Sequence, residues 1–166
     1  MYLTSMSFYD GKELPAKTHL DQGNRSPDLA FHELPAGAKS LALVCEDFDS
    51  PSGCWDMWVA WDLPPTSPGL REGLPPHDVI EGICHQGRNS YGHTGWGGPR
   101  PPAGTGIHHY CFRLFALDLA LGPHTGMGKD ELLDAIDGHV LDEAEITGTA
   151  QAPDQALSPA GASALR

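Results

Sequence analysis

Glycine and proline interrupt this chain so often that no long helix can be drawn through most of it. There are 20 glycines and 15 prolines in 166 residues. Glycine weakens a helix interior and proline breaks it, so the composition excludes a helical bundle and favours short strands joined by turns. The interruptions fall between apolar runs. Ser40 to Glu46 reads as a central strand, closed by the Asp, Ser, Pro and Gly cluster from Asp47 to Gly53. Trp55 to Leu63 reads as the next strand, ended by Pro64-Pro65, because proline has no N–H to give to a ladder. Tyr110 to Leu117 is apolar on both faces except at Arg113, as a buried strand would be. Residues 1–10 alternate and then reach Asp10-Gly11, which predicts a strand and a turn. Val79 to Cys84 reads as one short strand.

Lys129 to Ile146 is the one stretch with helical spacing. Leu132, Ile136 and Val140 recur at every fourth position, and Asp130, Glu131 and Asp134 sit near the start, where the helix dipole favours acids. Gly138 weakens this helix or splits it. Residues 150–166 are small, polar and proline-interrupted, which predicts a mobile tail after a domain spanning 1–149. The expected fold class is mainly β, a sandwich or barrel with the main helix near 129–146.

Charge narrows the function classes. The 10 Lys and Arg face 22 Asp and Glu, a formal net charge of −12. Nucleic-acid and anionic-membrane binders rely on basic patches, so neither partner is expected. No apolar run approaches the roughly 18 residues of a membrane-spanning helix, and the N-terminus lacks the pattern of a signal peptide. Cys45, Cys54, Cys84 and Cys111 form no Cys-x-x-Cys pair, so no structural zinc is expected. Cys45 and Cys111 lie in apolar runs, as buried thiols do, and a cytoplasmic location fits. The histidines are scattered without a His-Glu-x-x-His motif, and Gly-x-Ser-x-Gly is missing. No metal, cofactor or nucleophilic catalyst is therefore expected.

Two segments carry candidate chemistry. In Asp47-Phe48-Asp49-Ser50-Pro51 the two carboxylates stand two residues apart, so on an extended chain they point to one face. They suit either a partner histidine or ligand hydroxyl or ammonium groups, or simple turn bonds to backbone amides. The second segment is the Gly- and Pro-rich stretch from Gly92 to Gly106, followed by Ile107-His108-His109-Tyr110. Glycines let backbone N–H groups approach an anion, and the histidines and tyrosine add donors. The same pattern suits a rigid surface loop feeding a strand. His108 and His109 are adjacent, so on a strand they face opposite ways.

These two segments resemble the two signatures of the phosphatidylethanolamine-binding protein family. Asp47-Phe48-Asp49-Ser50-Pro51-Ser52-Gly53 is similar to its Asp-Pro-Asp-Ala-Pro segment. The run from Gly98-Pro99-Arg100-Pro101-Pro102 through Gly104 to His108-His109-Tyr110 is similar to Gly-Pro-x-x-Pro-x-Gly-x-x-His-Arg-Tyr. Leu3-Thr4-Ser5, Phe8, Asp10-Gly11, Asn24-x-Ser26-Pro27, Tyr91-Gly92 and Gly138-His139-Val140-Leu141 resemble the bacterial and archaeal branch, called Raf-kinase-inhibitor-like. The resemblance runs from about residue 1 to 149.

It implies an antiparallel β-sandwich of Greek-key type with a few short helices. It also implies a small surface pocket for phosphate-like anions or phosphoethanolamine-like headgroups, built from Asp47, Asp49, Gly98, Pro99, His108 and Tyr110. Homodimers, and the regulation of kinases or proteases, are further implications. This chain departs from the pattern at three positions. Met57 stands where a histidine is usual, Phe48 where a proline is, and His109 where an arginine is common. The expected role is a binding protein, not an enzyme, with Met57 in the pocket wall. His108 is expected to be the titratable ligand donor, with binding strengthening below pH about 6.5. A protein-docking module and, less favoured, a hydrolase are the alternatives.

Overall fold

Three of the predicted apolar runs lie side by side in the middle of the molecule. The computed structural model describes residues 1–154. Its strands are β1 (Tyr2–Thr4), β2 (Lys12–Glu13), β3 (Leu29–His32), β4 (Ser40–Asp47), β5 (Trp55–Leu63), β6 (Gly69–Leu70), β7 (Val79–Ile80), β8 (Cys84–Gln86), β9 (Ile107–Leu117) and β10 (Val140–Gln151). Helix α1 is Lys129–Ile136, and a short 3-10 turn spans Ala16–Thr18. One sheet has three strands in the order β1-β3-β6. The other has seven in the order β2-β10-β9-β4-β5-β8-β7. The pairings are antiparallel apart from that of β2 with β10, which is parallel. The fold is mainly β, as the sequence predicts.

Alternation along the central strands explains why their apolar runs are unbroken. Leu41, Leu43 and Cys45 of β4, with Phe112, Leu114 and Ala116 of β9, face the core shared with Leu3, Leu29, Phe31 and Leu70 of the small sheet. Ala42 and Val44, with Val59, Trp61, Phe115 and Leu117, face the other way, onto Leu132 and Ile136 of α1. Both faces of β4 are covered, so every residue from Ser40 to Asp47 is buried.

The helix expected over 129–146 is corrected. It ends at Ile136, and Val140–Gln151 is the strand β10. Gly138 takes a φ of 78°, a left-handed conformation that stops the helix cheaply only for glycine. Beyond it Ala144, Ile146, Gly148 and Ala150 are buried while Glu143 and Glu145 are exposed, a period of two. Pairing with β9 runs from Val140 opposite Leu117 to Gln151 opposite Ile107. The fourth-residue spacing of Val140 from Ile136 is coincidental. The strand expected over Val79 to Cys84 is likewise two strands, β7 and β8, paired in a hairpin that turns at Gly82 (φ 72°).

At the N-terminus the ladder stops at Thr4, because the carboxylate of Asp28 takes over. It accepts from the Met6 N–H at 2.8 Å and from the Ser5 and Ser7 hydroxyls. The domain boundary expected at 149 falls inside β10, and Ala150 and Ala152 are buried. The rest of the expected tail, residues 155–166, lies outside the described residues. Cys45, Cys84 and Cys111 are buried free thiols, and Cys54 is an exposed one. No helix among the described residues is long and apolar enough to cross a membrane.

Helix α1 is eight residues long and has no side-chain cap at Gly128, so packing must hold it in place. Leu132 is fully buried in that packing. Leu132→Ala should cost about 2–5 kcal/mol. A urea melt would show this as a lower midpoint with an unchanged slope.

Candidate functional site

The parity of β4 and β9 places the site. Asp47 has the parity of the core-facing residues of β4, and His108 and Tyr110 have that of β9. Asp47 lies directly opposite Tyr110 in the antiparallel register. The end of the sheet therefore brings a carboxylate, an imidazole and a phenol together beneath the loops.

His108 is fully buried, and both its ring nitrogens bond within the protein. Nδ1 lies 2.7 Å from Oδ2 of Asp47. Nε2 lies 2.7 Å from the Thr105 hydroxyl. That hydroxyl gives its single proton to the carbonyl of Pro102 at 2.6 Å. It can then only accept from His108, so Nε2 carries a hydrogen. On its other side Nδ1 faces the Asp47 carboxyl, so the imidazole bridges the acidic turn and the loop that carries Thr105. The other oxygen of Asp47 accepts the Asp49 N–H at 2.9 Å.

Asp49 serves a different purpose. Its Oδ2 accepts from both the backbone N–H and the ring Nδ1 of His109, each at 2.8 Å. It latches the acidic turn to the start of β9 on the exposed side. The His109 ring bond, assisted by the His109 backbone N–H, holds the Asp49 carboxyl below its ordinary range.

A cavity of about 160 Å³ lies beside the buried pair, lined by Asp47, Ser50, Ser52, Trp55, Met57, Tyr91, Arg100, Pro102 and Tyr110. Its walls offer donors. The Tyr110 hydroxyl and the Trp55 indole N–H are buried and make no hydrogen bond of ordinary geometry among the described residues, although the Trp55 N–H is near enough to the Tyr91 hydroxyl to act on it. Burial, and next the charge of Asp47, push the Tyr110 hydroxyl well above the usual range, so it stays a neutral donor. The Tyr91 hydroxyl is pushed up to about 12, chiefly by burial, and gives its proton to the Gly98 carbonyl at 2.8 Å. Met57 is 1% exposed and contributes a thioether, so that wall does not donate.

Of the residues singled out in the sequence, the structure brings Asp47, Met57 and Tyr110 together at the cavity. His108 sits behind Asp47 and does not line it. Asp49, Gly98 and Pro99 do not line it either. Gly98 is structural. Its N–H goes to Oδ1 of Asn24 at 2.7 Å, and a Cβ there would stand 1.9 Å from the Thr18 carbonyl oxygen. The Pro99 carbonyl accepts the Leu20 N–H at 3.1 Å, and its ring lines a wider neighbouring groove. The loop is pinned further by the Gly97 N–H on the Met57 carbonyl at 2.8 Å.

Sequence reasoning missed Trp55 and Tyr91 as lining residues. Trp55 was findable, because it stands two residues before Met57 on the same strand and so shares its face. Tyr91 had no such signal, since only the folding of its loop turns it inward.

Several known proteins share this arrangement of chain. A family model described as phosphatidylethanolamine-binding protein matches residues 4–151. The chain is 42% identical to a UPF0098 protein of Methanothermobacter thermautotrophicus over 148 residues, covering 89% of this chain and 97% of that one. The crystal structure of a putative homologue of the family from Chlamydia trachomatis superposes with a TM-score of 0.81. It is 37% identical, and the match covers 90% of this chain and 95% of that one. Escherichia coli YbcL, described as a new member of the mammalian family, gives a TM-score of 0.82 at 28% identity, covering 93% and 98%.

The Asp49–His109 latch has a definite pH sense. A carboxyl held low in the folded state contributes above the unfolded value of about 3.9, and the contribution is lost as pH falls through the lower folded value. The His109 amide resonance should therefore titrate below pH about 3.9. Asp49→Asn should abolish that titration in an NMR pH series.

Proposed function

The chain belongs to the phosphatidylethanolamine-binding protein family, and on that premise we propose that its small cavity receives a phosphate-like anion or a phosphoethanolamine-like headgroup. One observation carries the reading. Among the described residues the Tyr110 hydroxyl and the Trp55 N–H are buried donors that make no hydrogen bond of ordinary geometry, on two residues that line one cavity. A buried donor left unpaired costs roughly 1–3 kcal/mol, so a guest rich in acceptor oxygens is favoured there. The volume supports a small guest, being well below the roughly 300–1,000 Å³ of sites for drug-sized ligands.

Asp47 is hydrogen-bonded by the His108 ring and by the Asp49 N–H, which draws its charge away from an anion in the cavity. Each Asp47 oxygen spends one bond within the protein, and a carboxylate has about four acceptor positions in all. The remainder can receive the ammonium of a headgroup. His108 makes no ligand contact in this reading, which replaces its expected role as the titrating donor. Fully buried and outside the cavity lining, it offers no base to a guest there, and this favours binding over hydrolysis.

Calorimetric titration with inorganic phosphate and with phosphoethanolamine tests the proposal. Binding should be measurable. Tyr110→Phe should weaken it by about tenfold to a hundredfold, the worth of one hydrogen bond to a charged group. Trp55 fluorescence should change on saturation. Absence of heat with both ligands would overturn the proposal and favour a protein-docking module without a tight small ligand.

A further inference from the structure

Arg100 and Pro102 line both the small cavity and a wider groove of about 1140 Å³. Arg100 is the one cationic side chain among the described residues lining the small cavity. At present its Nε lies 3.2 Å from Oδ2 of Asp21, a residue of the groove. Both side chains are largely in water, 64% and 66% exposed. Ion pairs of that kind are weak and exchange readily. Arg100 stands between Pro99 and Pro101, whose rings restrict the backbone, so its freedom is that of the side chain. Its charge already reaches the cavity wall. At the Tyr91 hydroxyl burial raises the pKa, and Arg100 is the foremost opposing influence.

We propose that Asp21 and the bound anion compete for Arg100, so that this arginine leaves Asp21 and closes over an anion seated against Tyr110 and Trp55. The proposal rests on the anion-site reading above and adds how that site is regulated. The physical reason is local charge. The chain carries −12 overall, so its general field repels an anion. A guest with one or two negative charges therefore needs a cation brought to the mouth, and Arg100 is placed to supply it. Asp21 keeps the guanidinium extended at the rim until such a guest arrives. Affinity is then set by a side chain outside the cavity, and Asp21 tunes it without touching the ligand.

A double-mutant cycle read by calorimetry with inorganic phosphate tests this, using wild type, Asp21→Asn, Arg100→Gln and the double variant. Asp21→Asn should tighten binding about twofold to fivefold, the scale of an exposed ion pair. Arg100→Gln should weaken it about tenfold or more, the scale of a lost charge-assisted contact. Arg100→Lys should restore most of that loss. In the Arg100→Gln background, Asp21→Asn should change nothing. Repeating the cycle with phosphoethanolamine distinguishes free phosphate from a headgroup as the guest, since only the headgroup brings an ammonium to Asp47. The proposal is overturned if Arg100→Gln binds as wild type does, or if Asp21→Asn tightens binding equally with and without Arg100. Either result leaves the anion site standing. If neither wild type nor Asp21→Asn binds phosphate or phosphoethanolamine, the anion-site reading itself fails and this inference falls with it. Both residues are exposed, so urea midpoints should match wild type and confirm that the variants are folded.

Discussion

The hydrogen bond between Asp47 and His108 joins the two segments on which the rest of the site depends. One partner ends β4 and the other begins β9, 61 positions along the chain. Both are buried, and burying either alone would leave an unpaired polar group in a region of low dielectric. The bond is completed on both sides. The Asp49 N–H satisfies the second oxygen of Asp47, and the Thr105 hydroxyl, itself held by the Pro102 carbonyl, satisfies the outer nitrogen of His108. A buried polar pair adds little stability compared with apolar packing, but breaking it is costly. Its consequence here is positional. It holds the acidic turn and the Gly- and Pro-rich loop at a fixed separation, and the cavity is the space left between them.

The anion proposal rests on this arrangement: an acidic wall at Asp47, a thioether wall at Met57, and two buried donors without ordinary hydrogen bonds among the described residues. Met57, a departure from the family pattern, lines the cavity beside the indole of Trp55. In an acidic protein the attraction for an anion has to be local, and the local cation is held at the rim by Asp21.

Much of the architecture was legible because burial on both faces leaves a strong mark. The runs in β4, β5 and β9 are apolar nearly throughout, and the turn residues at Asp47–Gly53 and Pro64-Pro65 bound them. The late strand β10 was not legible. Its outward Glu143 and Glu145 and its inward Ala144, Ile146 and Gly148 carry a period of two, but a preceding helix with fourth-residue spacing overlaps that signal. Only pairing with β9 resolves it. The loop from Gly92 to Gly106 was marked by composition as a wall of the site. Its internal bonds, such as Asn24 to Gly98, join residues too far apart in sequence to be anticipated.

The alternation of side chains along two strands was enough to put Asp47, His108 and Tyr110 on one face, because the period of a strand is a local property of the backbone. What tertiary structure alone decided is which of their polar atoms remain free. A residue type states how many hydrogen bonds a group can make. Whether they are already spent depends on partners delivered by distant segments. Thr105 and Asp47 use up His108, the residue that looked most like a ligand donor. Among the described residues neither the Trp55 N–H nor the Tyr110 hydroxyl makes a hydrogen bond of ordinary geometry, and both residues line the small cavity.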